Sequence, residues 1–236
     1  MSRSFLALCN AVCSEIGVTG GSMPTAEVIN LTLQEQIRIS NWVSQADLLI
    51  QNLWSDWRFL WYYDQAITLT AGQQTFTPSR VAQDIDRRSL YLNPGTSSAY
   101  APQWMPWEQF YRLFIVQPTT GTDMPTNWAI DPSGKCWLSA PTVSANIPAS
   151  LQYWLLPVPM VNDTDTSPIP NVFDPIIIER AKILYAERED AAEILAGSSS
   201  EYMDLLDKLQ AYALPHGIAA RKASNNYTTL PVAWVE

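Results

Sequence analysis

Apolar residues recur at helical spacing near both ends of the chain, while the middle holds short alternating runs broken by turn residues. Phe5, Leu8, Cys9, Val12, Cys13 and Ile16 fall on one face, with Asn10, Ser14 and Glu15 on the other. This spacing predicts a helix of the mature protein, ended by Gly17, and argues against a signal peptide, whose apolar run would be continuous. A loop rich in Gly, Ser, Thr and Pro follows to about Asn30. Thr32 and Glu35 then form a capping-box pattern. Behind it, Ile39, Val43, Ala46, Ile50, Leu53 and Trp57 alternate spacings of four and three, which predicts a second helix running to about Trp57.

From about Ala66 the period changes to two. Ile67 and Leu69 alternate with threonines, and Ala71-Gly72 reads as a turn. Runs at 89–92, 128–130, 135–138 and 150–156 read as strands, separated by Asn93-Pro94-Gly95 and Asp131-Pro132-Ser133-Gly134. The second of these turns predicts a hairpin. Pro106 ahead of WEQFYRLF suits a short helix with proline in its first turn. Most of the 17 prolines lie between Pro78 and Pro175, as loops and edge strands allow.

Helical spacing then returns. Asp174-Pro175 offers an N-cap and an N1 proline, with Ile177, Ala181 and Leu184 on one face. Ser198 and Glu201 offer another capping box ahead of Tyr202, Leu205, Leu206, Leu209 and Tyr212, and Pro215 stops that helix. The expected fold class is α+β: a four-helix bundle made of N- and C-terminal helix pairs, with an inserted small β-rich module and an extended C-terminal tail. The corresponding segments are 1–63 for the first helix pair, 64–170 for the β module, 171–214 for the second pair and 215–236 for the tail.

Composition narrows the function. The chain has 236 residues, 47% hydrophobic and 16% charged, which suffices for a packed core. A net charge of −9 disfavours a domain devoted to neutralising phosphates. Arg87-Arg88 and Arg221-Lys222 are the adjacent basic pairs and, with Arg58, the first cations to inspect. No run of 18 apolar residues predicts a membrane span. Three cysteines do not make a disulfide framework, and a cytoplasmic assembly site fits them.

Chemistry is sparse. The single histidine, His216, lies in the tail, which removes Ser-His-Asp and Cys-His machinery and any two-histidine metal site. Cys9 and Cys13 are four apart and could present two ligands, but they share the apolar stripe and read as core. Asp84 with Asp86, and Asp163 with Asp165, are conceivable carboxylate pairs that read as solvated loop acids. Gly20-Gly21 is not followed by lysine and reads as a flexible loop. No enzyme activity, cofactor or metal is expected. Ten tryptophans and ten tyrosines remain. Trp104, Trp107, Trp128 and Trp137 could be exposed glycan platforms or core. Trp54, Trp57, Phe59, Trp61, Tyr62 and Tyr63 mark a junction that must be packed, and packing is the favoured reading throughout.

LALCNAVCSEIG, then IRISNWVSQADLLIQNLWSDWRFL, the strand and turn ITLTAGQQTF, and LQYWLLPVPMVNDTDTSPIPNVFDPIIIERAKILYAEREDAAE follow in this order. Taken together they resemble the head-to-tail adaptor (head-completion) proteins of tailed bacteriophages, over most of the chain to about Pro215. The resemblance implies a ring of copies, twelve to match the portal, joining capsid to tail at the virion neck, with DNA passing through the lumen unread. It implies the portal, neighbouring copies and a downstream tail or nozzle protein as partners, and no membrane. The tail would contact the portal, with Arg221, Lys222, Tyr227, Leu230 and Trp234 as its contact residues and Val232 as a further anchor. Alternatives are another tail component (tail-completion or baseplate), a carbohydrate-binding or depolymerase-type module, and a soluble enzyme.

Overall fold

The computed structural model describes residues 3–17, 34–116, 124–142 and 146–214. Helix and sheet are mixed, as the change of period along the chain implies. The chain divides into two compact units, residues 1–59 with 157–236, and residues 60–156.

The first unit is helical: α1 (Phe5–Glu15), α2 (Gln34–Asn52), α4 (Asp174–Glu189) and α5 (Ala192–Ala213). The Ser4 side chain caps α1 by accepting from the Ala7 N–H at 3.3 Å, and Gly17 at φ +70° lets the chain turn away. Phe5, Leu8, Cys9, Val12 and Cys13 are buried, as their stripe predicts. α4 is the centre of this unit. It touches α1, α2 and α5, and its Ile176, Ile177, Ile178, Ala181, Ile183 and Ala186 are all buried. α1 and α2 also pack together. Lys182 on α4 ties α1 down, reaching Glu15 at 2.9 Å and Glu179 at 2.8 Å.

Three local expectations need correction. The second helix stops at Asn52, short of Trp57. Trp57 is still fully buried, because it folds back and its indole N–H donates to the Ile50 carbonyl at 3.1 Å. The apolar seam therefore outlasts the helix. Ser198 does not cap a helix start; it is buried inside α5, which begins at Ala192. Asp174 opens α4 without capping it, and its carboxylate accepts the Arg3 N–H at 3.0 Å. Thr32 of the other capping box lies outside the described residues.

The second unit is the β module: β1 (Trp61–Leu69), β2 (Thr75–Phe76), β3 (Ala82–Ile85), β4 (Tyr91–Leu92), β5 (Gln103–Trp104), α3 (Trp107–Phe110), β6 (Asn127–Ile130), β7 (Cys136–Leu138) and β8 (Ile147–Leu155). α3 follows Pro106 and runs on as a π-helical turn, Tyr111–Ile115. β8 organises the first sheet, with β1 on one side and β3 and β4 on the other, all antiparallel. The second sheet runs β2-β7-β6-β5. β6 and β7 form the expected hairpin, whose turn is held by Asp131: its Oδ1 accepts from Ser133 N–H at 2.8 Å and Lys135 N–H at 3.0 Å. Gly134 at φ +83° completes it. Ile67, Leu69, Leu92, Trp128, Leu138 and Leu151 fill the core of this module. β1 begins at Trp61, earlier than the alternation at Ile67 suggests, because a bulge between Asp64 and Ile67 breaks the period of two.

Candidate functional site

The described residues bring together no catalytic constellation. Asp84 and Asp86 serve the backbone, accepting from the Ile85 N–H at 2.9 Å and the Arg88 N–H at 3.0 Å. Asp165 accepts from Val161 and Asn162 N–H groups at 2.8 and 2.7 Å, which holds its carboxyl below the ordinary range. These are turn fasteners, as acids flanking loops commonly are.

The three cysteines are buried and none is in a disulfide. Burial pushes the Cys136 thiol up to about 12 and raises Cys9 as well. A thiolate is the reactive form, so all three should resist a thiol-specific reagent in the folded protein at pH 8 and react after denaturation. Fast labelling of any one in the native protein would contradict this packing.

The tryptophans considered as glycan platforms are engaged in packing. Trp128 is fully buried. Trp107 and Trp137 rest against each other with ring centroids 5.7 Å apart, and Trp107 also stacks on Phe110 at 6.0 Å. Trp104 lies beneath a guanidinium, that of Arg87, 4.5 Å from its ring centre.

That last contact marks the feature best placed to receive a partner. A cleft of about 620 Å³ opens in the β module, lined by the segment from Thr77 to Ile85 and by Arg87, Trp104, Ile130, Ser133 and Gly134. One wall is β3, an edge strand that pairs only with β8. Trp104 on β5, the edge of the other sheet, supplies another part of the lining. Its indole N–H is buried and has no hydrogen-bond partner, a rare condition for a native donor. Arg80 lies over the Tyr62 ring at 4.7 Å. Arg80, Arg87 and the neighbouring Arg88 are exposed, and none of the three is in an ion pair among the described residues.

The loop carrying Ser79 and Arg80 is set by a buried polar lock. Asp64 is fully buried, and its Oδ2 accepts from Ser79 N–H at 2.8 Å and the Tyr153 hydroxyl at 3.0 Å. Tyr153 oxygen in turn accepts the Arg80 N–H at 3.1 Å. Burial alone would raise the Asp64 pKa, but the donors from Ser79, Ala66 and Tyr153 outweigh it and hold the carboxyl below the ordinary range. Eighty-nine residues separate Asp64 from Tyr153, so sequence reading had no means of pairing them.

Among the cations singled out in the sequence, Arg87 and Arg88 stand at this cleft, while Arg58 is exposed in the other unit. Arg80 went unremarked for want of a basic neighbour. Arg221, Lys222, Tyr227, Leu230 and Trp234, together with His216, lie outside the described residues. No described helix is long and apolar enough to cross a membrane.

With this geometry in place, comparison with known proteins gives one match. The family model described as SU10 adaptor protein matches residues 3–228, nearly the whole chain. No curated protein matches.

Proposed function

Because the chain belongs to the SU10 adaptor protein family, a structural family of bacteriophage particles, we propose that it forms a ring beneath the portal, joins capsid to tail at the virion neck and lines the DNA channel. The family match carries this reading, since it runs through both units without a gap. In this role the helices α1, α2, α4 and α5 act as a bundle beside their counterparts in neighbouring copies, twelve in all to match the portal. The β module serves the tail side, meeting the next tail or nozzle protein. The segment 215–236 reaches the portal through Arg221, Lys222, Tyr227, Leu230 and Trp234.

The charge distribution supports a channel-lining role. The helical unit holds 17 of the 23 acidic residues and 9 of the 14 basic ones, a net of −8, whereas the β module is close to neutral at −1. An acidic lumen repels the phosphate backbone and lets DNA pass without sticking.

Purified protein mixed with portal rings of the same phage should add a second ring under the portal in electron micrographs. A chain truncated after Pro215 should fail to add it. A truncated chain that docks as well as the full one would remove the portal role from the tail. No association by the full chain under any condition would move the protein to a more distal tail position.

A further inference from the structure

Two sets of exposed charges stand unpaired on the same chain. One is the arginine group at the cleft, Arg80, Arg87 and Arg88. The other is the corner between α4 and α5, where Glu187, Glu189, Asp190 and Glu193 are all exposed and none is in an ion pair among the described residues.

The corner is costly to its own helix. Glu187 and Glu189 occupy the last turn of α4, where the helix dipole favours cations. Asp190 takes the left-handed C-cap conformation at φ 54°, a position better filled by glycine or asparagine. Helix stability therefore does not explain these acids. At the cleft, two arginines flank an indole N–H that lacks an acceptor, so the lining offers donors that an entering carboxylate would satisfy.

We infer that the acidic α4–α5 corner of one copy docks into the Arg80–Arg87–Trp104 cleft of a second copy. This rests on the ring reading and deepens it by naming the two surfaces. Cleft and corner are different patches, so the contact is heterologous, the kind that closes into a ring when repeated through the right rotation. Guanidinium groups already held over Tyr62 and Trp104 lose little freedom on binding carboxylates, which suits them to this contact.

The test uses full-length chains on portal rings, imaged as above, with sedimentation velocity of the same proteins at low and high salt. Arg87→Glu should weaken copy-to-copy association about tenfold, the effect of losing one close charge pair and adding a repulsion. Arg88→Glu, which leaves the Trp104 stack untouched, should weaken it in the same direction if Arg87→Glu proves poorly folded. Glu187→Lys with Glu189→Lys suits the α4 terminus and should also block association. A mixture of the cleft variant with the corner variant should assemble, because each then offers the charge the other lacks. Normal rings from Arg88→Glu and from the corner variant would overturn the contact while leaving the ring reading intact. If the wild-type chain forms no ring on the portal, the ring reading falls by itself. The contact then stands or falls on salt-sensitive self-association of the wild-type chain, and its absence overturns it.

Discussion

Replacing Asp64 with alanine is expected to destabilise the β module by about 3 kcal/mol, the order of cost for orphaning buried donors. The substitution takes the acceptor from the Tyr153 hydroxyl, which sits on a fully buried residue, and from the Ser79 and Ala66 amides. Ser79 and Ala66 are exposed and can recruit water, so most of the loss falls on Tyr153. Asp64→Asn keeps one acceptor oxygen and should lose about half as much. The pH dependence follows from a depressed folded pKa: the stabilisation is full above the unfolded value and fades as pH falls through the folded one. The gap between wild type and Asp64→Ala should therefore narrow below about pH 4. Urea unfolding and hydrogen exchange of β8 peptides would measure this. An unchanged midpoint with unchanged β8 protection would show that the lock contributes nothing.

A second buried aspartate should behave in the opposite sense. Asp47 on α2 is fully buried, held by Ser167 Oγ at 2.6 Å and Gln51 Nε2 at 2.7 Å, and no cation pairs with it. Burial raises its pKa to about 6, the two hydrogen bonds oppose the rise, and the charge of Asp174 adds to it. A raised folded pKa means that the folded chain holds the proton more tightly than the unfolded one. Stability from this group is present below the unfolded pKa near 3.8 and is lost as pH rises through about 6. The shift of about two units corresponds to roughly 3 kcal/mol of penalty at neutral pH.

Asp47→Asn removes that penalty. Ser167 can still donate to the amide oxygen, and Gln51 can rotate to accept from the amide nitrogen. We expect the variant to be more stable than wild type by about 1–2 kcal/mol at pH 8 and about equal to it at pH 4. Urea titrations of both proteins across that range are the measurement. A variant weaker than wild type at pH 8 would mean that the ionised carboxylate is needed where it stands.

Elements governed by near neighbours were legible in the sequence. The α1 stripe, Gly17, the Asp131–Gly134 turn and the proline before α3 act within a few residues, and the pattern placed them correctly. Trp57 was misread because burial does not require helix: its ring reaches the core from a loop and borrows the Ile50 carbonyl. Ser198 misled because a small buried residue inside α5 carries the same letters as a cap. β3, with the sequence AQDI, has no strand pattern and exists because β8 supplies its partner. The cleft was illegible for a related reason. Residues near 80, 104 and 130 meet there only through pairings between distant strands, which leave no local trace.

The register of β1 with β8 has a consequence for how such a chain could diversify. Trp61 at the start of β1 stands opposite Trp154 near the end of β8. The polypeptide thus enters and leaves the module side by side, at the roughly 5 Å separation of facing residues in an antiparallel pair. A cassette whose ends meet can lengthen, shrink or be exchanged between lineages at little entropic cost, because the chain on either side sees the same gap to close. The helices could keep one partner for long periods while the strands are refitted to another.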